Sequence, residues 1–333
     1  MAPVTTQPNT PPAADTPSVC MIILNYNGRE LLERFMPAFM KTDYQPLEVV
    51  VMDNASTDDS REWLRAHWPQ VTVLHTPVNR AWPGGNNIGI RYALDKGHRY
   101  VVLANNDIEP HPAWIREAVN YARQHPACGV VGFALYNENV TRPDFEAACR
   151  KLSTVSAKPT DNIVGCSMVC DSEVFRAIGL LDEDYVNYAE ESDWEYRAMQ
   201  AGWEMAEVSV PVWHLAEATL IRRPLHRCYL QMRSSIRFAF KLQGLFRGLC
   251  ACKTVLNRAC NPWLKLDMSD YTLRRYRPAS LPVNAALALA AIGWNLFALP
   301  ATLRAGREDL GRIAQWRARK GGGEMPRGSE SQP

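Results

Sequence analysis

No Gly-x-Gly-x-x-Gly run follows the first apolar strand of this chain; the loop there reads Asn-Tyr-Asn-Gly-Arg-Glu and holds one glycine. Its backbone therefore has no easy approach to a dinucleotide pyrophosphate, and the Gly84-Gly85 pair comes too late, after the third strand. A Gly-x-x-x-x-Gly-Lys phosphate loop, a His-Glu-x-x-His zinc helix and a Gly-x-Ser-x-Gly nucleophile elbow are also missing. These absences count against hydride transfer and serine-type hydrolysis. The nine cysteines are odd in number and form no Cys-x-x-Cys pair or Cys/His zinc spacing; Cys166 and Cys170, like Cys250 and Cys252, match no staple. They read as buried reduced thiols, in a reducing compartment. Met1–Pro17 has no apolar run and is rich in Pro and Thr, so residues 1–18 read as a disordered tail rather than a signal peptide.

Acid is scarce at the rear. Residues 221–333 hold 20 Lys/Arg against 6 Asp/Glu, a net +14, and the overall +2 leaves −12 for residues 1–220. An acidic front half speaks against nucleic-acid binding. The basic rear suits an anionic membrane or a phosphorylated acceptor. In all, 333 residues that are 47% hydrophobic and 22% charged are enough for a sizeable core in one large domain or two.

From Val19 short β-rich runs alternate with amphipathic stretches. Val19–Leu24, Glu48–Met52, Val71–Leu74 and Tyr100–Leu103 read as strands, with helices over Glu30–Lys41, Asp58–His67 and Asn87–Lys96. That alternation predicts an α/β fold with a mainly parallel twisted sheet covered on both faces. A fourth helix at Trp114–Arg123 and a buried strand at Gly129–Leu135 follow. Tyr136–Asn162 is polar and reads as an irregular loop; a strand at Val164–Cys170 and helices at Ser172–Ile178 and Glu190–Ala201 come next. Past residue 216 the strands end, and 216–277 reads as a basic helical region carrying Arg222, Arg223, Arg227, Arg233, Arg237, Lys241 and Arg247.

The segment Pro278–Leu303 carries no charge and opens a last region, 278–333. It is long enough to span a bilayer, yet it is Ala-rich, is interrupted by Pro282, Asn284, Gly293, Asn295 and Pro300, and is followed by a basic tail. An in-plane membrane helix, a span and a core helix all remain open. We expect peripheral attachment to the inner face of the cytoplasmic membrane, with arginines on anionic headgroups. A basic helical lid, completing a homodimer, is the alternative.

In a parallel α/β sheet ligands bind beyond the carboxyl ends of the strands. Those ends carry Asn25-Tyr26-Asn27-Gly28, Asp53-Asn54-Ala55-Ser56-Thr57-Asp58, Asn79-Arg80 with Gly84-Gly85-Asn86-Asn87, and Asn105-Asn106-Asp107. Packing alone predicts turn residues there, not this gathering of carboxylates and amides. Together with Glu190-Glu-Ser-Asp-Trp194 and Trp213-His214, these motifs, in this order, resemble the family 2 glycosyltransferases, which have the GT-A nucleotide-sugar-binding fold. The resemblance covers about residues 19–215 and is closest to bacterial rhamnosyltransferase-like members acting on cell-surface polysaccharides.

The resemblance implies roles residue by residue. Asp53 would fix the nucleotide base, as a carboxylate that accepts a pyrimidine N–H; helix capping, the alternative, falls more naturally to Ser56 or Asp58. Asn25, Asn27, Asn54, Arg80, Asn105 and Asn106 would complete the donor site, with Gly85 and Asn86 in a loop whose backbone lies close to base or ribose. Asp107 matches the last carboxylate of the family's metal motif for Mg²⁺ or Mn²⁺, and His214 would add a second ligand unless it is structural. Glu191 would be the general base, with Glu190, Asp193 and Trp194 on the acceptor side. For the Glu190-Glu191 pair the plain alternative is a helix start favoured by the macrodipole. Two positions depart from the pattern: Asn105 replaces the first metal carboxylate, and Glu191 stands where Asp is commoner. Asp182, Glu183 and Asp184 read as solvated or acceptor-lining; the remaining histidines, His75 among them, read as surface or structural.

The expected activity is inverting transfer of a sugar from a nucleotide-diphosphate donor, dTDP-rhamnose before a UDP-sugar, to a glycan or lipid-linked acceptor. A non-catalytic nucleotide-sugar or polysaccharide-binding module, and a nucleotidyltransferase, are the competing classes.

Overall fold

The computed structural model describes residues 16–137, 141–215, 224–261 and 280–321. Most of the 1–18 tail, Arg222 and Arg223, and the 262–279 stretch with the start of the uncharged segment lie outside the described residues.

The front half builds a parallel unit. Strands β1 (Val19–Asn25), β2 (Leu47–Asp53), β3 (Thr72–His75) and β4 (Tyr100–Asn105) lie in the order β3-β2-β1-β4, all parallel. Helices α1 (Arg29–Phe39), α2 (Ser60–His67) and α3 (Ala81–Asp95) make the crossovers. In β1, Val19, Met21 and Ile23 face one apolar layer while Cys20 and Ile22 face the other, the period of two that a doubly covered sheet requires. Helix α1 buries Leu32, Phe35, Met36 and Phe39, the i, i+3, i+4, i+7 stripe of a helix lying on a sheet.

Beyond β4 the sheet turns mixed. The strands β5 (Ile108–Pro110), β6 (Cys128–Tyr136), β7 (Ala157–Pro159), β8 (Ser167–Asp171) and β9 (Glu204–His214) extend the order to β3-β2-β1-β4-β8-β6-β9-β5, with β7 also on β9. Strand β8 is antiparallel to both β4 and β6, and β6 is parallel to β9. The expectation of a mainly parallel sheet therefore holds for its first half only. One consequence places the site: β1 to β4, β6 and β9 all end at one edge, where β8 begins.

Two local expectations are corrected. Helix α3 starts at Ala81, not Asn87, so Gly84, Gly85 and Asn86 are helical and buried instead of forming a loop. Glycine and asparagine are poor helix formers, but packing overrides propensity: a Cβ on Gly85 would lie 2.5 Å from Leu24, and one on Gly89 would lie 2.7 Å from Ile22. Within the stretch read as a loop, α5 (Arg142–Lys151) forms after Thr141, with a proline in its first turn and Phe145 buried. Helix α4 (Trp114–Gln124) precedes β6, and α6 (Ser172–Ile178) and α7 (Glu190–Gln200) follow β8.

Helix α8 (Pro224–Phe238), a π-helical turn (Ala239–Gln243), α9 (Leu245–Cys260) and α10 (Leu281–Phe297) enclose a third core of Cys228, Met232, Ile236, Phe240, Val255, Ala259, Ala288 and Ala291. Helix α11 (Leu299–Gly321) returns to the sheet domain, where Ile313 joins the core and Trp316 stacks on Trp203 with ring centroids 5.8 Å apart. Among the described residues no single helix is long and apolar enough to cross a membrane; α10 and α11 pass that test only as a pair bent by 63°. All nine cysteines are free, five of them buried.

Candidate active site

The donor-side motifs meet as a lattice of amides. Asn25 is buried at the end of β1, where Asn106 Nδ2 donates to its Oδ1 at 2.8 Å and its own Nδ2 reaches Ser56 Oγ at 3.3 Å. A Cβ on Gly28 would meet the same Asn106 amide at 2.2 Å, which is why glycine occupies that turn. Asn27, at φ 48°, accepts from Thr57 N at 2.7 Å and laces the β1 and β2 loops together. Asn54 accepts from Arg80 N at 2.9 Å and donates to Ala81 O at 2.9 Å, joining the β2 end to the start of α3. Hydrogen bonds of this kind, made by the buried amides of Asn25 and Asn54, favour one conformation of these loops. Arg80, half-exposed, reaches Glu183 at 3.5 Å.

Asp53 is not open to a ligand. Its carboxylate is fully buried, takes His75 Nδ1 at 2.9 Å and Ser56 N at 3.4 Å, and has Arg61 Nε at 3.5 Å. It meets a base only if the half-exposed His75 ring swings away. His75, read from the sequence as surface or structural, is structural: the β2–β3 register sets it opposite Asp53. Tyr26, exposed after β1, is a residue that sequence reading passed over.

Asp107 and His214 come together although 107 residues separate them. Antiparallel pairing of β5 with β9 sets Ile108 opposite His214, and His214 Nε2 lies 3.4 Å from Asp107 Oδ1. Burial opposes a charge on His214, but hydrogen bonds to Asp107 and Cys166 outweigh it and push its pKa up to about 10. The imidazolium so formed would have to lose its proton before binding a metal. Asp107 Oδ1 is buried and faces His214 Nε2 at 3.4 Å, a long and poorly formed contact, so a cation would satisfy it further. No group of three or more His, Cys, Asp or Glu suited to a metal occurs among the described residues. A two-ligand anchor completed by phosphate oxygens and water still fits a hard divalent cation.

The acids sit at the start of α7. Burial pushes Glu190 and Glu191 up, the Glu191 charge adding to the effect on Glu190. Glu195, one turn on, is raised too, first by burial and then by Glu191, and it accepts from Ile163 N at 3.0 Å. Glu190 is buried whereas Glu191 keeps partial exposure. Each of the two has an Oε2 without a partner. A Cβ on Gly165 would stand 3.2 Å from the Trp82 ring and 3.5 Å from Glu191 Cβ, so Gly165 lies against both residues. Trp82 Nε1 donates to Asn105 Oδ1 at 2.9 Å, which carries the contact through to the strand-end amides. Trp82 lies inside a motif already singled out, but nothing in that motif marked it. A cavity of about 390 Å³ lined by Tyr136, Ile163, Val164, Ser167 and Glu207 opens beside this corner.

Asp193 and Trp194 are corrected from the acceptor side to the interior. Asp193 is fully buried between Arg197 Nε at 2.7 Å and Lys241 Nζ at 2.8 Å, and Trp194 packs on Phe175 and donates to Gly179 O. Asp182, read as solvated, also holds Lys241 at 2.8 Å and Arg237 at 2.9 Å, while Asp309 of α11 closes on Lys241 at 2.9 Å. Arg233, Arg237 and Lys241, read as part of a basic helical region, are thus buried against the 182–189 loop that leads into α7. Arg233 and Ser234 also bond the carbonyls of Tyr185 and Asn187. That loop contains Val186, Tyr188 and Ala189 at φ 68°, 70° and 68°, a left-handed run of non-glycine residues that needs such a grip.

A mixed sheet with this strand order, with amide-rich strand ends and a buried acid pair beyond them, is a fold of the GT-A type. Solved structures agree on the fold: the mannosyltransferase PcManGT from Pyrobaculum calidifontis, in complex with GDP-Man and Mn²⁺, superposes with a TM-score of 0.53 at 20% identity, over 92% of this chain and 88% of that one. Residues 18–179, just under half of the chain, match the Glycosyl transferase family 2 model. The low-salt glycan biosynthesis hexosyltransferase Agl10 of Haloferax volcanii is 29% identical over 205 residues, 57% of this chain and 64% of that protein. The N-acetylglucosaminyl-diphospho-decaprenol L-rhamnosyltransferase of Mycobacterium tuberculosis is 23% identical over 217 residues, 55% of this chain and 71% of that protein. The match thus spans a little under two thirds of the Haloferax relative.

Proposed function

We propose that the chain transfers a sugar, with inversion, from a nucleotide-diphosphate donor to a hydroxyl of a cell-surface glycan or lipid-linked acceptor. The observation that carries this is the setting of Glu191: a carboxyl group raised by burial, with an Oε2 that has no partner, beside Gly165, which also borders the Trp82 ring whose indole bonds Asn105. A carboxylate so raised holds a proton more tightly than an ordinary one and is suited to general-base work near neutral pH. Glu191 takes the acceptor hydroxyl proton as that oxygen attacks the anomeric carbon, and Glu190, kept protonated beside it, lets Glu191 alone carry the charge. Asn25, Asn27, Asn54, Arg80, Asn105 and Asn106 hold the donor, with Asn105 on a ribose hydroxyl. The acceptor enters past Glu190 from the cavity beside Ser167.

Asp107 and His214 would hold Mg²⁺ or Mn²⁺, which when bound supplies Lewis-acid neutralisation of the departing diphosphate. The donor is dTDP-rhamnose before a UDP-sugar. The name of the rhamnosyltransferase relative, which gives rhamnose and a lipid diphosphate, supports that sugar and a lipid-linked acceptor; a place on the inner face of the cytoplasmic membrane is part of the same reading. Residues 19–215 are the catalytic unit and the helices after 216 its membrane-facing part. The test is a panel of nucleotide sugars given to the full chain with and without EDTA, and the anomeric configuration of the product. Retention of the donor configuration, or full turnover in EDTA, refutes the corresponding half of the proposal.

A further inference from the structure

Helix α10 is amphipathic the wrong way round for a soluble protein. Its only polar side chains, Asn284 and Asn295, are buried, and Asn295 Nδ2 donates to Arg233 O on α8 at 2.9 Å. Its outward positions are Leu281, Val283, Leu289, Leu296 and Phe297, the last 88% exposed at the bend into α11. Thr302, just past the bend, is turned inward as well and accepts from Arg237 at 2.8 Å. The polar groups serve as internal grips, and the apolar groups are left with water. Helix α9, packed against α10, exposes Leu245, Phe246 and Leu249 beside Arg247 and Lys253. Helices α8, α9 and α10 contain no Asp or Glu.

We infer that the outer face of α9 and α10, with Phe297 at its elbow, seats in the surface of an anionic phospholipid bilayer. This deepens the membrane placement proposed above. Seventeen helical residues rise about 25 Å, less than the roughly 30 Å hydrocarbon core, and the 63° bend ends the run. The helix therefore lies in the interface plane. Cations with no acidic neighbours complement anionic headgroups, and the apolar side chains fill the acyl boundary. A second copy of the chain is disfavoured as occupant, because a two-fold contact would set Arg247 and Lys253 against their own equivalents.

Flotation of the full chain with vesicles of phosphatidylcholine, alone or mixed with phosphatidylglycerol, tests this in the absence of donor and acceptor. Its failure would leave the transferase reading standing. Binding to the mixed vesicles at low salt is expected. Leu289→Gln/Phe297→Gln should weaken partitioning about a hundredfold, since each buried apolar side chain is worth on the order of tenfold. Both positions are exposed, so thermal unfolding and turnover on a soluble acceptor should stay at wild-type values. Wild-type protein left at the bottom of the gradient, or equal flotation of the variant, overturns the inference. So does a wild-type dimer in sedimentation that the same substitutions dissolve.

Discussion

Replacing Glu191 by Gln keeps the shape of the side chain and removes its ability to take a proton. Turnover should fall about 10²–10⁴-fold, or roughly 3–5 kcal/mol of barrier, with donor binding unchanged. Stability should move the opposite way. Burial raises Glu191, so the folded state binds its proton more tightly than the unfolded state does. Its ionisation therefore costs stability as pH climbs from the ordinary carboxylate range through the raised value, about 1.4 kcal/mol per unit of difference. Glutamine has no charge to desolvate and relieves the Coulomb load on Glu190 and Glu195. The variant should resist urea better than wild type at about pH 8, and the gain should vanish near pH 4, where both states hold the proton. Steady-state kinetics at saturating donor and urea melts at both pH values decide it. Near-wild-type turnover removes Glu191 as the base; a variant less stable at the higher pH refutes the buried-acid argument itself.

Asp107→Asn should abolish the increase in nucleotide-diphosphate affinity that Mg²⁺ or Mn²⁺ produces, read by calorimetry; an unchanged metal effect means Asp107 is no ligand. Lys241→Met leaves Asp182, Asp193 and Asp309 with Arg197, Arg237 and the half-exposed Arg312 to compensate, and should cost about 3–5 kcal/mol in urea unfolding. A cost below about 1 kcal/mol would show the cluster to be loosely coupled. Lys241 and Arg237 overcome the burial of Asp182 and hold its pKa down to about 2. The resulting stability is present above the ordinary carboxylate value near 3.8 and is lost as pH falls through about 2, so acid titration of the wild-type chain should show a loss in that window that Lys241→Met lacks.

The parallel half of the fold was legible because β1 to β4 carry uninterrupted apolar runs and their helices carry clear stripes. The antiparallel entry of β8 was not, since a buried strand reads the same in either direction. Helix α3 was cut short on paper because Gly84 and Gly85 look like a turn; their contacts with Arg80, Leu24 and Asn54 make them helical. The strand-end amides were found by position alone, and they do gather. What a linear reading could not supply was burial: it gave Asp53 to a ligand where His75 holds it, and Asp193 to an acceptor where Lys241 does. Likewise, seven cations spaced along 222–247 read as one basic helical region, although Arg233, Arg237 and Lys241 point inward.

The triple-carboxylate seat of Lys241 has a consequence for how the protein is made. Asp182 and Asp193 flank Glu191, but Asp309 lies mid-way along α11, and a Cβ on nearby Gly306 would lie 2.2 Å from the Lys241 carbonyl. On the ribosome, the sheet can form long before that last helix emerges. Until it does, the lysine lacks one partner and the left-handed turn at Val186–Ala189 lacks its full brace. The nascent chain would therefore be able to fold its sheet well before it could hold the Glu190–Glu191 turn in place, and that turn would set only once α11 has emerged.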